Sequence, residues 1–116
     1  MSSFEPPARG DIWLADLNPT RGHEQAGIRP VLVISADTFN SGPAGLVVVI
    51  PLTTRLRDVP LHVQLDPPEG GLQRRSAIKC EDIRSISAER LAGRWGVLSS
   101  STMALVEDNL RIFLHL

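Results

Sequence analysis

This sequence predicts a mainly β domain closed by one C-terminal helix, folded as a small, strongly bent antiparallel barrel. Three observations lead there. Short apolar runs recur along the first hundred residues, either alternating or continuously β-branched. Clusters of Gly, Pro, Asn and Asp separate them. After Ser100 the apolar period changes from two to that of a helix.

The elements follow in order. Ile12 to Leu17 sets Ile12 and Leu14 on one face and Trp13, Ala15 and Leu17 on the other, a first strand covered on both sides. Asn18-Pro19-Thr20 ends it, and about ten residues of pliant polar loop follow, with Gly22 and Gly27 as hinges; a loop of that length points to function. Val31 to Ile34 reads as a buried strand, with Pro30 admissible at its first residue or on an edge. Ser35 to Gly45 is rich in turn formers, with one helical turn at Ala36 to Phe39. Leu46 to Leu52 is the most hydrophobic run, a central strand interrupted at Pro51 that delivers Thr53 and Thr54 at its end. Leu61 to Leu65 alternates as a strand, and Asp66-Pro67-Pro68-Glu69-Gly70-Gly71 is a strong turn. Ser76 to Cys80, Ile83 to Ile86 and Arg90 to Val97 complete five to seven strands. From Ser100, Met103, Val106, Leu110 and Phe113 share one helical face, widened by Leu105, Ile112 and Leu116, and Ser99 to Ser101 supplies the N-cap.

The 116 residues suffice for one core and one domain, 1–116, with residues 1–8 expected to be flexible. No apolar run approaches a membrane span, and the polar start from Met1 to Gly10 carries no export pattern, so the cytoplasm is the expected compartment. A lone Cys80 fits a reducing compartment and the role of a small buried hydrophobe. A net charge of −1 argues against a strongly basic nucleic-acid binder. The distribution qualifies this: eleven of the twelve basic residues are arginine, and seven of the twelve lie between Arg55 and Arg90. Arginine favours planar recognition of phosphate.

Among reactive groups, His23, His62 and His115 are scattered, with no spacing that makes a metal set. No Ser sits in a nucleophile elbow, and no Gly-rich phosphate loop is present. Arg29 stands out. The proline after it holds it extended where a loop enters a strand, and its guanidinium is a permanent planar fork for an anion. A surface arginine paired with Glu24 or Asp37 is the competing reading. Thr53, Thr54 and Glu24 remain, with Lys79, Glu81 and Arg84 as charged company.

Arg9-Gly10-Asp11-Ile12-Trp13, Asp16-Leu17-Asn18-Pro19 and the run from Gly22 to Ile34, containing Glu24-Gln25-Ala26-Gly27-Ile28-Arg29-Pro30, strongly resemble the MazF/PemK family of toxin endoribonucleases from toxin–antitoxin modules. Val49-Ile50-Pro51-Leu52-Thr53-Thr54, Ser76-Ala77-Ile78 and Ile83-Arg84-Ser85-Ile86 keep the family order, so the resemblance covers residues 9 to 116. It implies an SH3-like bent β-barrel with a C-terminal helix, a homodimer, metal-independent and cofactor-free cleavage of single-stranded RNA, and an acidic, MazE-like antitoxin partner. Its catalytic arginine falls on Arg29 and its catalytic threonine on Thr53, with Thr54 adjacent.

The chemistry of RNA agrees with that assignment. The 2′-OH is an internal nucleophile, so alignment for in-line attack needs neither metal nor covalent intermediate, and leaves a 2′,3′-cyclic phosphate and a 5′-OH. Arg29 and Thr53 would stabilise the charge that grows on phosphorus oxygens. Glu24 either takes the 2′-OH proton or orients Arg29. His23, Phe39, Arg55, Lys79, Glu81 and Arg84 are read as RNA contacts, with Gln25 and Thr54 as further candidates.

The family often carries Gln where Asp82 follows Glu81, so the extra charge bears on base preference. Aromatic content is low, with no Tyr, which shifts base contacts toward hydrogen bonds and arginine stacking. Two other readings compete: a toxin of this fold that binds DNA gyrase without cleaving, and an SH3-like module for proline-rich peptides, which needs an aromatic groove.

Overall fold

The β-branched run Val47-Val48-Val49-Ile50 builds the strand that the sheet turns around. In a computed structural model, which describes residues 5–19 and 22–116, it belongs to β3 (Leu46–Thr53). The other strands are β1 (Asp11–Asp16), β2 (Ile28–Val33), β4 (His62–Leu65), β5 (Ser76–Lys79), β6 (Arg84–Ser87) and β7 (Leu91–Val97). A short helix α1 (Asp37–Asn40) follows β2, and α2 (Ser100–Leu114) ends the chain. All ladders are antiparallel, in the order β4-β5-β3-β2-β1-β7, with β6 also on β3.

β3 changes partner along one edge. Leu46 to Val49 pair with β6, and Leu52 and Thr53 pair with β5. Pro51 falls in the gap between these ladders, where no rung requires its missing N–H. Pro30 lies inside β2 rather than at its start, because the β2–β3 ladder begins only at Val31 and leaves Pro30 an edge position on that side. Two register shifts between β1 and β7 add curvature. The predicted barrel is a bent sheet that does not close: among the described residues no ladder joins β4 to β7.

Period-two alternation feeds a separate core on each face. Ile12, Leu32, Ile50, Leu52 and Ile78 pack on one side with Val106 and Leu110 of α2. Ala15, Leu17, Val31, Val33, Val47 and Val49 pack on the other. The 69–71 turn seats against β7: a methyl on Gly71 (φ +75°) would lie 2.2 Å from the Trp95 carbonyl oxygen, and one on Gly96 would lie 2.6 Å from the Gly70 carbonyl carbon. Only glycines permit that approach.

The helix buries a narrower stripe than the period predicts. Val106 and Leu110 are buried and Met103 packs on the core, but Leu105, Ile112, Phe113 and Leu116 are exposed. Thr102 and Asn109 take inward places, Asn109 donating to the Leu61 carbonyl at 3.2 Å. No helix among the described residues is long and apolar enough to cross a membrane. Of the start expected to be flexible, residues 1–4 lie outside the described residues. Pro7 is buried and accepts from Asn40 Nδ2, and Ala8 donates its N–H to Asp11, so both are tied down.

The α2 N-cap yields a pH prediction. Ser99 Oγ accepts the Thr102 N–H at 3.2 Å, while the Ser99 N–H and hydroxyl donate to Glu69 Oε2 at 3.1 and 3.0 Å. Burial alone pushes the Glu69 carboxyl up, but the hydrogen bonds from Thr102 and Ser99 outweigh it and hold the group below its ordinary value. Its contribution to stability is thus present above the ordinary glutamate pKa and is lost as pH falls through the lowered folded value. Glu69→Gln should lower Tm by a few degrees at neutral pH and by progressively less across that acid range. Equal losses at both pH values would remove the charge of Glu69 from the cap.

Candidate active site

The aliphatic strands β2 and β3 run in opposite directions, so the start of one lies beside the end of the other. Their rungs pair Val33 with Val49, Leu32 with Ile50 and Val31 with Pro51. Continued two residues beyond its last rung, the same register sets Arg29 opposite Thr53. Both line one cavity of about 840 Å³ at this end of the sheet. The β1–β2 loop adds His23, Glu24 and Gln25, and the segment after β3 adds Thr54, Arg55, Arg57 and Val59. His62 begins β4, and Lys79, Glu81 and Asp82 come from the end of β5 and the turn at Cys80–Asp82.

Arg29 is half-buried, and its Nε donates to the Ala26 carbonyl at 3.0 Å. That bond leaves the Nη1/Nη2 end as the open fork, the side that engages two oxygens of one anion. Neither expected partner claims it: Asp37 accepts the Arg9 N–H at 2.7 Å, and the Glu24 carboxylate lies 3.8 Å from Arg84 Nη1. The contact orienting Arg29 is therefore the Ala26 carbonyl. Thr53 is buried, and its Oγ1 accepts the Arg55 N–H at 3.1 Å. One lone pair is thereby used on backbone, and the hydroxyl proton remains for a ligand.

Carboxylates and cations share the cavity, yet the carboxylates are answered from the protein side. Asp82 Oδ2 lies 3.0 Å from Arg84 Nη2 and 3.9 Å from Lys79 Nζ, and Glu81 Oε2 lies 2.9 Å from His62 Nε2. Among the described residues Arg29, Arg55 and Arg57 enter no ion pair. A chain of net charge −1 thus presents a locally cationic cleft. Cys80 takes no part: burial pushes its thiol up to about 11, so it is a neutral core group. No three His, Cys, Asp or Glu side chains among the described residues gather as a metal set.

The structure gathers most of the residues singled out from sequence and removes two. Arg84 does not line the cleft. Its guanidinium is turned under the β1–β2 loop, donating to the Gln25 carbonyl at 2.7 Å and to Asp82, and its side chain is 14% exposed. Phe39 sits in α1, past the far end of β2 from Arg29, exposed but outside the cavity. Four cleft residues were missed as site groups: Arg57, Val59, His62 and Asp82, the last read from sequence only as an extra charge. His62 arrives through its register opposite Lys79, which periodicity does not reveal. Its side chain is 4% exposed, and its Nδ1 is buried without a partner among the described residues. The lining contains no phenyl or indole ring, so the groove required for proline-rich peptides is absent there.

Residues 8–114 match the family described as PemK-like, MazF-like toxin of type II toxin–antitoxin system. The chain is 39% identical over 109 residues to Endoribonuclease EndoA of Bacillus subtilis (strain 168), covering 93% of this chain and 94% of that one. It is 38% identical over 109 residues to Endoribonuclease MazF of Staphylococcus epidermidis, covering 93% and 91%. Its fold superposes on crystalline MazF from Deinococcus radiodurans with a TM-score of 0.86 at 28% identity, over 97% of this chain and all of that one. A MazE–MazF structure from the same organism gives 0.80 at 27% identity, over 97% and 99%.

Proposed function

Because this chain belongs to the PemK-like, MazF-like toxin family of type II toxin–antitoxin systems, we propose that it is an endoribonuclease that cuts single-stranded RNA at short sequences by attack of the 2′-OH on the adjacent phosphorus. The observation that carries this reading is the pairing of an Arg29 fork, open at its Nη end, with a Thr53 hydroxyl at one end of a cationic cleft. The relatives named endoribonucleases support it.

As the 2′-oxygen approaches, negative charge builds on the two non-bridging oxygens. Arg29 meets it with two parallel N–H donors and Thr53 with one O–H, both fixed before the substrate arrives. The 5′-oxygen leaves and takes a proton from water, giving a 2′,3′-cyclic phosphate and a 5′-OH. We assign the 2′-OH proton to Glu24, a carboxylate exposed on the loop that lines the same cleft; the Ala26 carbonyl takes the orienting contact with Arg29. Arg55, Arg57 and Lys79 extend the cation track along the RNA backbone. The working unit in this reading is a homodimer. Its regulator is an acidic, MazE-like antitoxin that folds into the same cleft and displaces RNA by charge.

The deciding experiment incubates the pure protein with a long single-stranded RNA in EDTA and maps fragment ends. Recurrent cuts carrying 5′-OH and 2′,3′-cyclic phosphate ends are expected. Intact RNA together with inhibited DNA supercoiling would transfer the protein to the gyrase-binding reading.

A further inference from the structure

The turn between β5 and β6, with the strand ends that flank it, reaches across to the loop that precedes Arg29 and grips one residue of it at three polar groups. Asp82 Oδ2 accepts the Gln25 N–H at 2.9 Å. Arg84 Nη2 donates to the Gln25 carbonyl at 2.7 Å, and Lys79 Nζ donates to the Gln25 side-chain oxygen at 3.3 Å. Asp82 binds Arg84 Nη2 as well, at 3.0 Å, so the group holding the amide and the group holding the carbonyl also hold each other. The next residue is Ala26, whose carbonyl receives Arg29 Nε. An unbroken series of contacts therefore runs from Asp82 through the Gln25 backbone to the guanidinium.

We propose that Asp82 is a positioning residue for the Arg29 fork: with Arg84 it locks the Gln25 peptide, which sets the Ala26 carbonyl and so aims Nη1 and Nη2 into the cleft. The side chains of Asp82 and Arg84 are only 13% and 14% exposed, so their pair is shielded from water and removing one partner strands the other's charge. A loop alone places a catalytic group loosely; a loop bonded at three points to strand ends does not. The negative charge of Asp82 is thereby spent on the loop rather than presented to RNA. This rests on the endoribonuclease reading for its kinetic consequence, though not for its structural one.

The test uses the full chain with Asp82→Ala and Asp82→Asn, the latter keeping shape and an acceptor if the former folds poorly. Without RNA, hydrogen exchange at the Gln25 amide and at Arg29 Nε–H should quicken about tenfold or more in Asp82→Ala. With RNA, kcat should fall about 10- to 100-fold at nearly constant KM, the signature of a misaimed transition-state contact. In an Arg29→Ala background the same substitution should change the rate by less than about twofold, because the group it positions is gone. Asp82→Asn should recover part of both losses. Exchange unchanged in Asp82→Ala, or losses that multiply in the double variant, would overturn the proposal. If the unaltered protein leaves RNA intact, the functional reading fails, and the exchange measurements alone decide whether Asp82 sets the Arg29 contact.

Discussion

Arg29→Ala is expected to cut RNA cleavage by about a thousandfold or more, while leaving the unfolding midpoint within a few degrees of the parent. The two effects separate because the side chain does little for the fold. It is half-buried, donates one hydrogen bond to the Ala26 carbonyl and enters no ion pair among the described residues. Losing one neutral acceptor's partner at a partly wet site costs about 1 kcal/mol. The transition state loses far more: a thousandfold is about 4 kcal/mol, the loss expected when two aligned donors vanish where charge develops. The decline should fall on kcat, since the Arg55 and Arg57 cations still draw RNA into the cleft. Arg29→Lys restores the charge but not the fork, and should recover only a small part of the rate. A fully active Arg29→Ala protein, or one inactive because unfolded, would reject this assignment.

How far this arrangement was legible in the sequence depends on what each residue's place requires. Arg29 and Thr53 each sit where an aliphatic run ends, so strand periodicity locates them, and the resemblance in the Glu24 to Pro30 run supplies the chemistry. Their adjacency needs the β2–β3 register, which apolar alternation constrains only to within two residues. His62 and Asp82 depend entirely on tertiary pairing. His62 reaches the cleft because it lies opposite Lys79, and Asp82 reads as an extra negative charge until the Gln25 amide is found on it.

The misplacements have equally physical origins. The exposure of Phe39 is readable from its turn-rich surroundings, and so is its distance from the cleft: it follows the end of β2, whereas Arg29 stands at that strand's start. For Arg84, the arginine bias suggested a phosphate contact, whereas the loop carbonyl and Asp82 both engage its Nη2 and hold the side chain beneath the loop. In α2 the apolar period correctly marks a helix. It overstates the buried face, because the bent sheet receives a stripe only wide enough for Thr102, Val106 and Leu110.

Thr53→Val should lower kcat by about a hundredfold or more, and Thr53→Ser by only a few-fold. Valine matches threonine in shape, and Thr53 is buried at the end of β3 opposite Ala77, so the replacement keeps the branched outline and exchanges the hydroxyl for a methyl. What is lost is double. The Arg55 N–H gives up its acceptor at 3.1 Å, and the cleft gives up the proton that hydroxyl holds out. Arg55 is exposed, so water can take over its N–H and the stability cost stays near 1 kcal/mol. The catalytic loss has no such substitute, because a water in the cleft is not fixed before the charge arrives. Serine restores both functions at the same atom, with one extra rotamer to freeze. The two proteins therefore separate a donor from a spacer. Equal activity of the valine and serine variants would show that Thr53 shapes the strand end and nothing more. Loss in both would point to the methyl group, and hence to packing beside Arg29, as the part of Thr53 that matters.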